Sequence, residues 1–235
     1  MLSINELVYR WDFSRDHFQL GPITLHCKRK NKIGLFGRSG LGKTTLLRLI
    51  SGELTPTSGS VRLDVSKTIY HDQAQKIVPW LSARNNALVN LNGSAKVHDE
   101  RVLRLCGVSD FENQDATRLS GGQRARVALA RSLIEPCDIL LLDEPFSGVD
   151  AVSQELLVDE ISTIFDGELL IITSHDPGLL IQLCNSVLCL VRENKHIELK
   201  NWALPKEMHD LSPKERRNSA NYVELIRELQ GLLYG

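Results

Sequence analysis

Two runs in the chain are apolar at every position: Ile139-Leu140-Leu141-Leu142 and Leu169-Leu170-Ile171-Ile172. A strand with one wet face alternates, so unbroken aliphatic runs of this length predict strands buried on both faces, as in a parallel sheet. A third apolar stretch, Ile33-Gly34-Leu35-Phe36, precedes a glycine-rich segment and then the helical pattern Thr45-Leu46-Leu47-Arg48-Leu49-Ile50, which Gly52 would stop. Ala125, Val127-Ala128-Leu129-Ala130 and Leu133-Ile134 predict a helix with a small-residue face. Tyr9, Trp11 and Phe13 alternate as in a strand, whereas about 74–135 reads as mostly helical with a break at Asn92-Gly93. Near the end, Ser212-Pro213-Lys214-Glu215 has the form of a capping box with proline in the first turn. Val223, Ile226, Leu229 and Leu233 then mark one face of a terminal helix. Buried strands interleaved with helices predict an α/β fold.

The glycine-rich segment carries chemistry. Gly37-Arg38-Ser39-Gly40-Leu41-Gly42-Lys43-Thr44, followed by Thr45, is a complete phosphate loop between a strand and a helix. Its glycines let the backbone approach a ligand closely, and its amides face an anion at the positive end of the following helix. Lys43 is placed to reach the β- and γ-phosphates of a nucleoside triphosphate, and Thr44 to offer its hydroxyl to Mg²⁺. Asp143 ends a buried strand at the carboxyl edge, where α/β sheets bind ligands, and suits the magnesium shell. Glu144 beside it is the candidate base that polarises an attacking water. His175 follows the second aliphatic run, with Asp176-Pro177 as helix cap and first turn.

Downstream of the loop stands Leu119-Ser120-Gly121-Gly122-Gln123, ahead of the predicted small-residue helix. With these motifs in this order, the chain resembles the ATP-binding subunit of an ABC transporter, from its start to about residue 200. That resemblance implies a phosphate-loop (RecA-like) nucleotidase core with an N-terminal antiparallel β subdomain and an inserted helical signature subdomain at about 74–135, followed by a tail over 201–235. It implies that Gln73, six residues before Pro79-Trp80, touches Mg²⁺ and the attacking water, with Gln75 as the neighbouring alternative. Ser120, Gly122 and Gln123 match the signature that contacts the γ-phosphate held by the other subunit, Glu144 the catalytic base and His175 the switch histidine. Ser147-Gly148-Val149-Asp150 matches the loop that crosses the dimer interface, where Ser-Ala-Leu-Asp is more usual. The family stacks adenine on an aromatic residue ahead of the phosphate loop: Tyr9, Trp11 and Phe13 are candidates, and Trp11 is the choice. Between Gly59 and Gln73 the chain is shorter than many relatives, which predicts a trimmed hairpin. Physical reasoning agrees on pairing: a signature helix N-terminus attracts an anion, yet the chain's own phosphate loop already has one. Two copies placed head to tail give each ATP one loop and one signature.

Composition sets the partners. Hydrophobic content of 42%, charged content of 24% and a net charge of −1 over 235 residues are those of an ordinary globular protein and give no electrostatic case for nucleic acid. No apolar run approaches the ~20 residues that cross a bilayer, and the first residues lack the pattern of a signal peptide. Cysteines 27, 106, 137, 184 and 189 lack metal spacing and fit buried thiols in a reducing cytoplasm. Membrane transport therefore needs separate permease subunits, placing the chain at the cytoplasmic face of the membrane as a homodimer or paired ATPase. Pro79-Trp80 and the Leu204-Pro205 tail with its basic residues resemble the nitrate, sulfonate and taurine importer branch, which implies a substrate-binding protein in the full system. These features disfavour an exporter subunit. A soluble ABC-type ATPase of DNA repair or translation would bring tandem cassettes or long coiled-coil insertions.

Overall fold

The computed structural model describes residues 2–11, 19–72, 77–90, 97–194 and 196–234. Its strands are β1 (Leu2–Arg10), β2 (Gln19–Cys27), β3 (Asn31–Gly37), β4 (Ser58–Leu63), β5 (Thr68–His71), β6 (Ile139–Leu142), β7 (Leu169–Thr173), β8 (Ser186–Glu193) and β9 (His196–Ala203). They form one sheet in the order β4-β1-β2-β9-β8-β3-β7-β6-β5. From β8 to β5 every pair is parallel. On the other side β1 runs antiparallel to β2 and β4, and β8 antiparallel to β9. The helices are α1 (Lys43–Ser51), α2 (Ala83–Ala87), α3 (Val97–Leu105), α4 (Gly121–Ile134), α5 (Ala151–Ile164), α6 (Pro177–Leu183), α7 (Pro213–Arg217) and α8 (Tyr222–Tyr234).

The aliphatic runs are buried at every position because both faces of the parallel strands are covered. Leu140, Leu142, Leu170 and Ile172 face a core shared with α3 to α6 and α8. Ile139, Leu141, Leu169 and Ile171 face a second core with α1, β1 and β2. Gly34 in β3 makes one of these contacts possible: a Cβ there would lie 3.1–3.3 Å from the Leu180 side chain, so only glycine lets α6 come so close.

The capping box at α7 forms as expected, with Ser212 and Glu215 exchanging side chain-to-amide bonds. One turn later Arg216 is buried against the end of α6, donating to the carbonyls of Ile181, Gln182 and Cys184 as well as to Met208, Leu211 and His209. A cation among the unpaired carbonyls of a helix C-terminus is electrostatically well placed. Arg216 thereby pins the tail to the core.

Two expectations fail. The terminal helix turns Leu225 and Leu229 to the core, flanked by Tyr222, Ile226 and Leu232, and leaves Val223 57% exposed. The buried face thus keeps Ile226 and Leu229 of the predicted stripe but takes in Leu225 in place of Val223, a leucine offering about 0.8 kcal/mol more on burial for its extra methylene. The side chain of Leu233 lies outside the described ones. Nor is there a hairpin between Gly59 and residue 72: β4 pairs with β1 and β5 with β6, at opposite ends of the strand order. β4 finds the nine-residue β1 and β5 lies parallel to β6, so the short linker between them need not be a tight turn.

At the end of β5 the His71 imidazole is buried, with Nδ1 3.1 Å from Ser132 Oγ on α4. Burial pushes its pKa down to about 4, against the opposing pull of Asp143. The unfolded chain takes up this proton near pH 6.5. Folding therefore carries no protonation penalty above that pH and a growing one below it, reaching ~3 kcal/mol as pH nears 4. Urea denaturation at about pH 7 and about pH 5 should show the wild type losing more stability than His71→Gln across the interval; equal losses would exclude this role.

Candidate active site

The carboxyl ends of β3, β6 and β7 reach the same sheet edge because these strands are parallel and in register, with Leu35 beside Thr173 and Leu142 beside Ile172. A pocket of about 250 Å³ opens there, lined by Trp11, Ser39, Gly40, Gly42, Lys43, Thr44, Thr45, Asp143, Glu144 and His175. Ten residues singled out from the sequence therefore meet in one place.

The loop holds its shape through backbone conformation. Gly42, the residue before α1, has φ +90, and Gly40 has φ +81, a region that favours glycine. A Cβ on Gly42 would also come 3.3 Å from the Trp11 ring. Trp11 is backed edge-on by Tyr9, their ring centroids 5.6 Å apart, so of the two described aromatics it is Trp11 that lines the pocket. Phe13 lies outside the described residues, as do Gln73 and Gln75. Gly37 is buried at the end of β3, Arg38 is exposed, and Leu41 is half-buried against the core shared with α1, β1 and β2.

Lys43 is buried and curls into its own loop, donating to the Gly37 carbonyl at 2.8 Å and lying 4.0 Å from Glu144 Oε1. Burial lowers its pKa, opposed by Glu144 and Asp143. The Glu144 carboxyl is raised by burial first and by Asp143 in addition, while His175 and Lys43 pull it back. His175 Nε2 lies 3.1 Å from Glu144 Oε1, an oxygen that is buried and accepts no hydrogen bond among the described residues. Glu144 also has φ +49, a strained value for a residue with a side chain.

Asp143 is almost fully buried. Its Oδ1 accepts from the Thr173 hydroxyl at 2.8 Å, and its Oδ2 from Tyr70 at 3.4 Å. The Glu144 amide donates to the same Thr173 oxygen, also at 2.8 Å. Sequence reasoning passed over Thr173 and Tyr70. The available signal was a hydroxyl closing an otherwise aliphatic strand, two residues before His175.

Ser120, Gly122 and Gln123 do not line this pocket. Ser120 caps α4: its Oγ accepts from the Gln123 amide and Gln123 Oε1 accepts from the Ser120 amide. The signature packs instead on the loop before α5. A Cβ on Gly122 would come 3.2 Å from the Gly148 carbonyl, and Arg126 bonds Asp150 at 2.6 Å. Gly148 has φ +82, a left-handed conformation that favours glycine.

Trp80 is 83% exposed on a loop whose base is tightly held. Asn86, fully buried, accepts from Val78 N and donates to the carbonyls of Val78, Leu81 and Ser82, and Arg131 of α4 bonds both its backbone and side-chain oxygens.

No three His, Cys, Asp or Glu side chains converge as a metal cage among the described residues. Thr44 and Asp143 on the pocket wall do fit a magnesium ion, which is held by few protein ligands and completes its shell with water and substrate phosphates. Among the described residues no helix is long and apolar enough to cross a membrane.

Comparison with known proteins agrees with this geometry. A family model described as ABC transporter matches residues 20–147. A taurine import ATP-binding protein from Roseobacter denitrificans is 33% identical over 221 residues, covering 87% of this chain and 82% of its own. An aliphatic sulfonates import ATP-binding protein from Escherichia coli K12 is 33% identical over 189 residues, covering 77% and 74%. Among solved structures, a dimeric bacterial ABC transporter cassette superposes with a TM-score of 0.71 at 22% identity, over 87% of this chain and 99% of the other, which shows a shared fold. With the family model spanning more than half its length and relatives of this identity along most of it, the chain belongs to the ABC transporter family.

Proposed function

We propose that this chain is the ATP-hydrolysing subunit of an ABC importer, working as a head-to-tail pair on the cytoplasmic side of its permease. The observation that carries this reading is the convergence of Lys43, Thr44, Asp143, Glu144 and His175 on one pocket that the signature does not line. In each half, Lys43 exchanges the Gly37 carbonyl for phosphate oxygens, and the loop amides cradle the β-phosphate. Thr44 and Asp143 hold Mg²⁺, which when bound offsets charge on the phosphates. Glu144, whose raised pKa makes it a stronger base than a free carboxylate, polarises the attacking water. His175 hydrogen-bonds the γ-phosphate, Gln73 senses metal and water, and Trp11 stacks on adenine. The signature of the second copy, Ser120, Gly122 and Gln123, closes over the γ-phosphate. The segment of about 74–135, which carries α2, α3 and α4, is the helical arm, and 201–235 is a tail whose Arg216 and Leu229 pack on the core.

The import direction draws on the relatives, whose names describe import ATP-binding proteins for taurine and aliphatic sulfonates. An exposed tryptophan on a rigid loop is well suited to anchor a partner, here a cytoplasmic helix of the permease. A substrate-binding protein completes such a system, and the transported solute is chosen there and in the permease.

Three outcomes test the reading. Glu144→Gln should retain ATP binding and lose hydrolysis by about 100-fold or more; wild-type turnover in this variant would remove Glu144 as the base. Lys43→Ala should weaken ATP affinity by about tenfold or more, and an unchanged titration would contradict its phosphate role. Tagged protein drawn from detergent-solubilised native membranes should bring down a polytopic permease at equal stoichiometry, and Trp80→Ala should reduce that yield. If only soluble proteins or nucleic acid come down while a control transporter stays intact, the importer reading fails and the ATPase reading stands.

A further inference from the structure

We infer that Thr173 is a positioning residue for hydrolysis, its single hydroxyl fixing both the metal-binding carboxylate and the catalytic base. The inference rests on the ATPase reading above and extends it to a residue outside the motifs. Thr173 ends β7 and is fully buried. Its hydroxyl donates to Asp143 Oδ1 at 2.8 Å and accepts from the Glu144 amide at 2.8 Å. A hydroxyl has one proton to give and lone pairs to receive, and both functions are used here on adjacent residues of another strand end.

The second bond matters most at Glu144. That residue holds φ +49, a conformation that persists only where its surroundings over-determine it. The amide bond to Thr173 is such a restraint, and it aims the Glu144 side chain into the pocket beside Lys43 and His175. The first bond orients the Asp143 carboxylate, whose other oxygen has only the longer contact from Tyr70. Removing the hydroxyl while keeping the side-chain shape would leave a buried amide and a buried carboxylate oxygen short of a partner. Both would be free to turn, and the base and the metal ligand would lose their mutual register. Thr173 touches no reacting atom; it acts through Asp143 and Glu144.

The test compares Thr173→Val and Thr173→Ala, which lack the hydroxyl, with Thr173→Ser, which keeps it. Ile171→Val serves as a control, being buried on the same face of the same strand two residues before Thr173 and carrying no hydroxyl. Steady-state hydrolysis of Mg-ATP should show kcat falling by about tenfold or more in the hydroxyl-free variants, with KM within about threefold of wild type. Thr173→Ser and the control should stay within about threefold in both constants. A second readout avoids turnover: in the Glu144→Gln background, ATP affinity with and without Mg²⁺ should show that Thr173→Val shrinks the magnesium-dependent gain. Wild-type kcat in a folded hydroxyl-free variant, or a serine variant as impaired as valine and alanine, would overturn the proposal. Failure of the underlying reading has a different signature, since wild-type protein would then not hydrolyse ATP and Glu144→Gln would change nothing.

Discussion

Three charged side chains, one ammonium and two carboxylates, are withdrawn from water at the edge of the parallel sheet, and much of the structure serves to keep them there. Burial works against the charged forms of two of them: it lowers the Lys43 pKa, opposed first by Glu144, and raises that of Glu144, opposed first by His175 and then by Lys43. Such a group is stable only when hydrogen bonds take up the remaining lone pairs and protons. Lys43 finds the Gly37 carbonyl, and Asp143 finds Thr173 and Tyr70. Glu144 Oε1 finds no hydrogen bond among the described residues, although Lys43 and His175 are near.

Keeping these groups in register requires the strands beneath them to be rigid, and that follows from their two-sided burial. Alternate residues of β6 and β7 enter opposite cores, and a one-residue slip of β6 would carry Asp138 or Asp143 toward the aliphatic interior. The helical arm is tied to the same edge by polar links. His71 meets Ser132, and Arg131, one residue earlier on α4, holds Asn86. The loop bearing Trp80 therefore stands on the helix that begins with the signature. A force on the indole would be passed to α4 through hydrogen bonds rather than dissipated in a flexible loop.

What could be read from the sequence was whatever local order determines. The phosphate loop, the paired aliphatic strands and the box at Ser212 depend on residues within a few positions of each other, and they stand where expected. Pairing between distant strands was not legible: β4 and β5 are separated by only a short linker yet belong to opposite ends of the sheet. The face of α8 was misjudged because Val223, Leu225 and Ile226 crowd one turn and support two stripes, and only the surface of α6 chooses between them. Thr173 was missed for the same reason. Its importance lies in Asp143 and Glu144, thirty and twenty-nine positions away along the chain.

The separation of signature from pocket gives the pairing argument its physical content. Ser120 and Gln123 satisfy each other in a capping box, which leaves the amides of Gly121 and Gly122 as the donors of the first turn. Those glycines present bare backbone, suited to close contact with an anion. Beneath them, Gly122 rests on Gly148, and Arg126 holds Asp150, which itself caps α5. Signature and interface loop are therefore one unit built from two helix starts, and in the proposed pair they would approach the partner's nucleotide together. A side chain on Gly148 would be strained at φ +82 whatever the space around it. Glycine therefore suits this position, where the loop before α5 packs beneath Gly122.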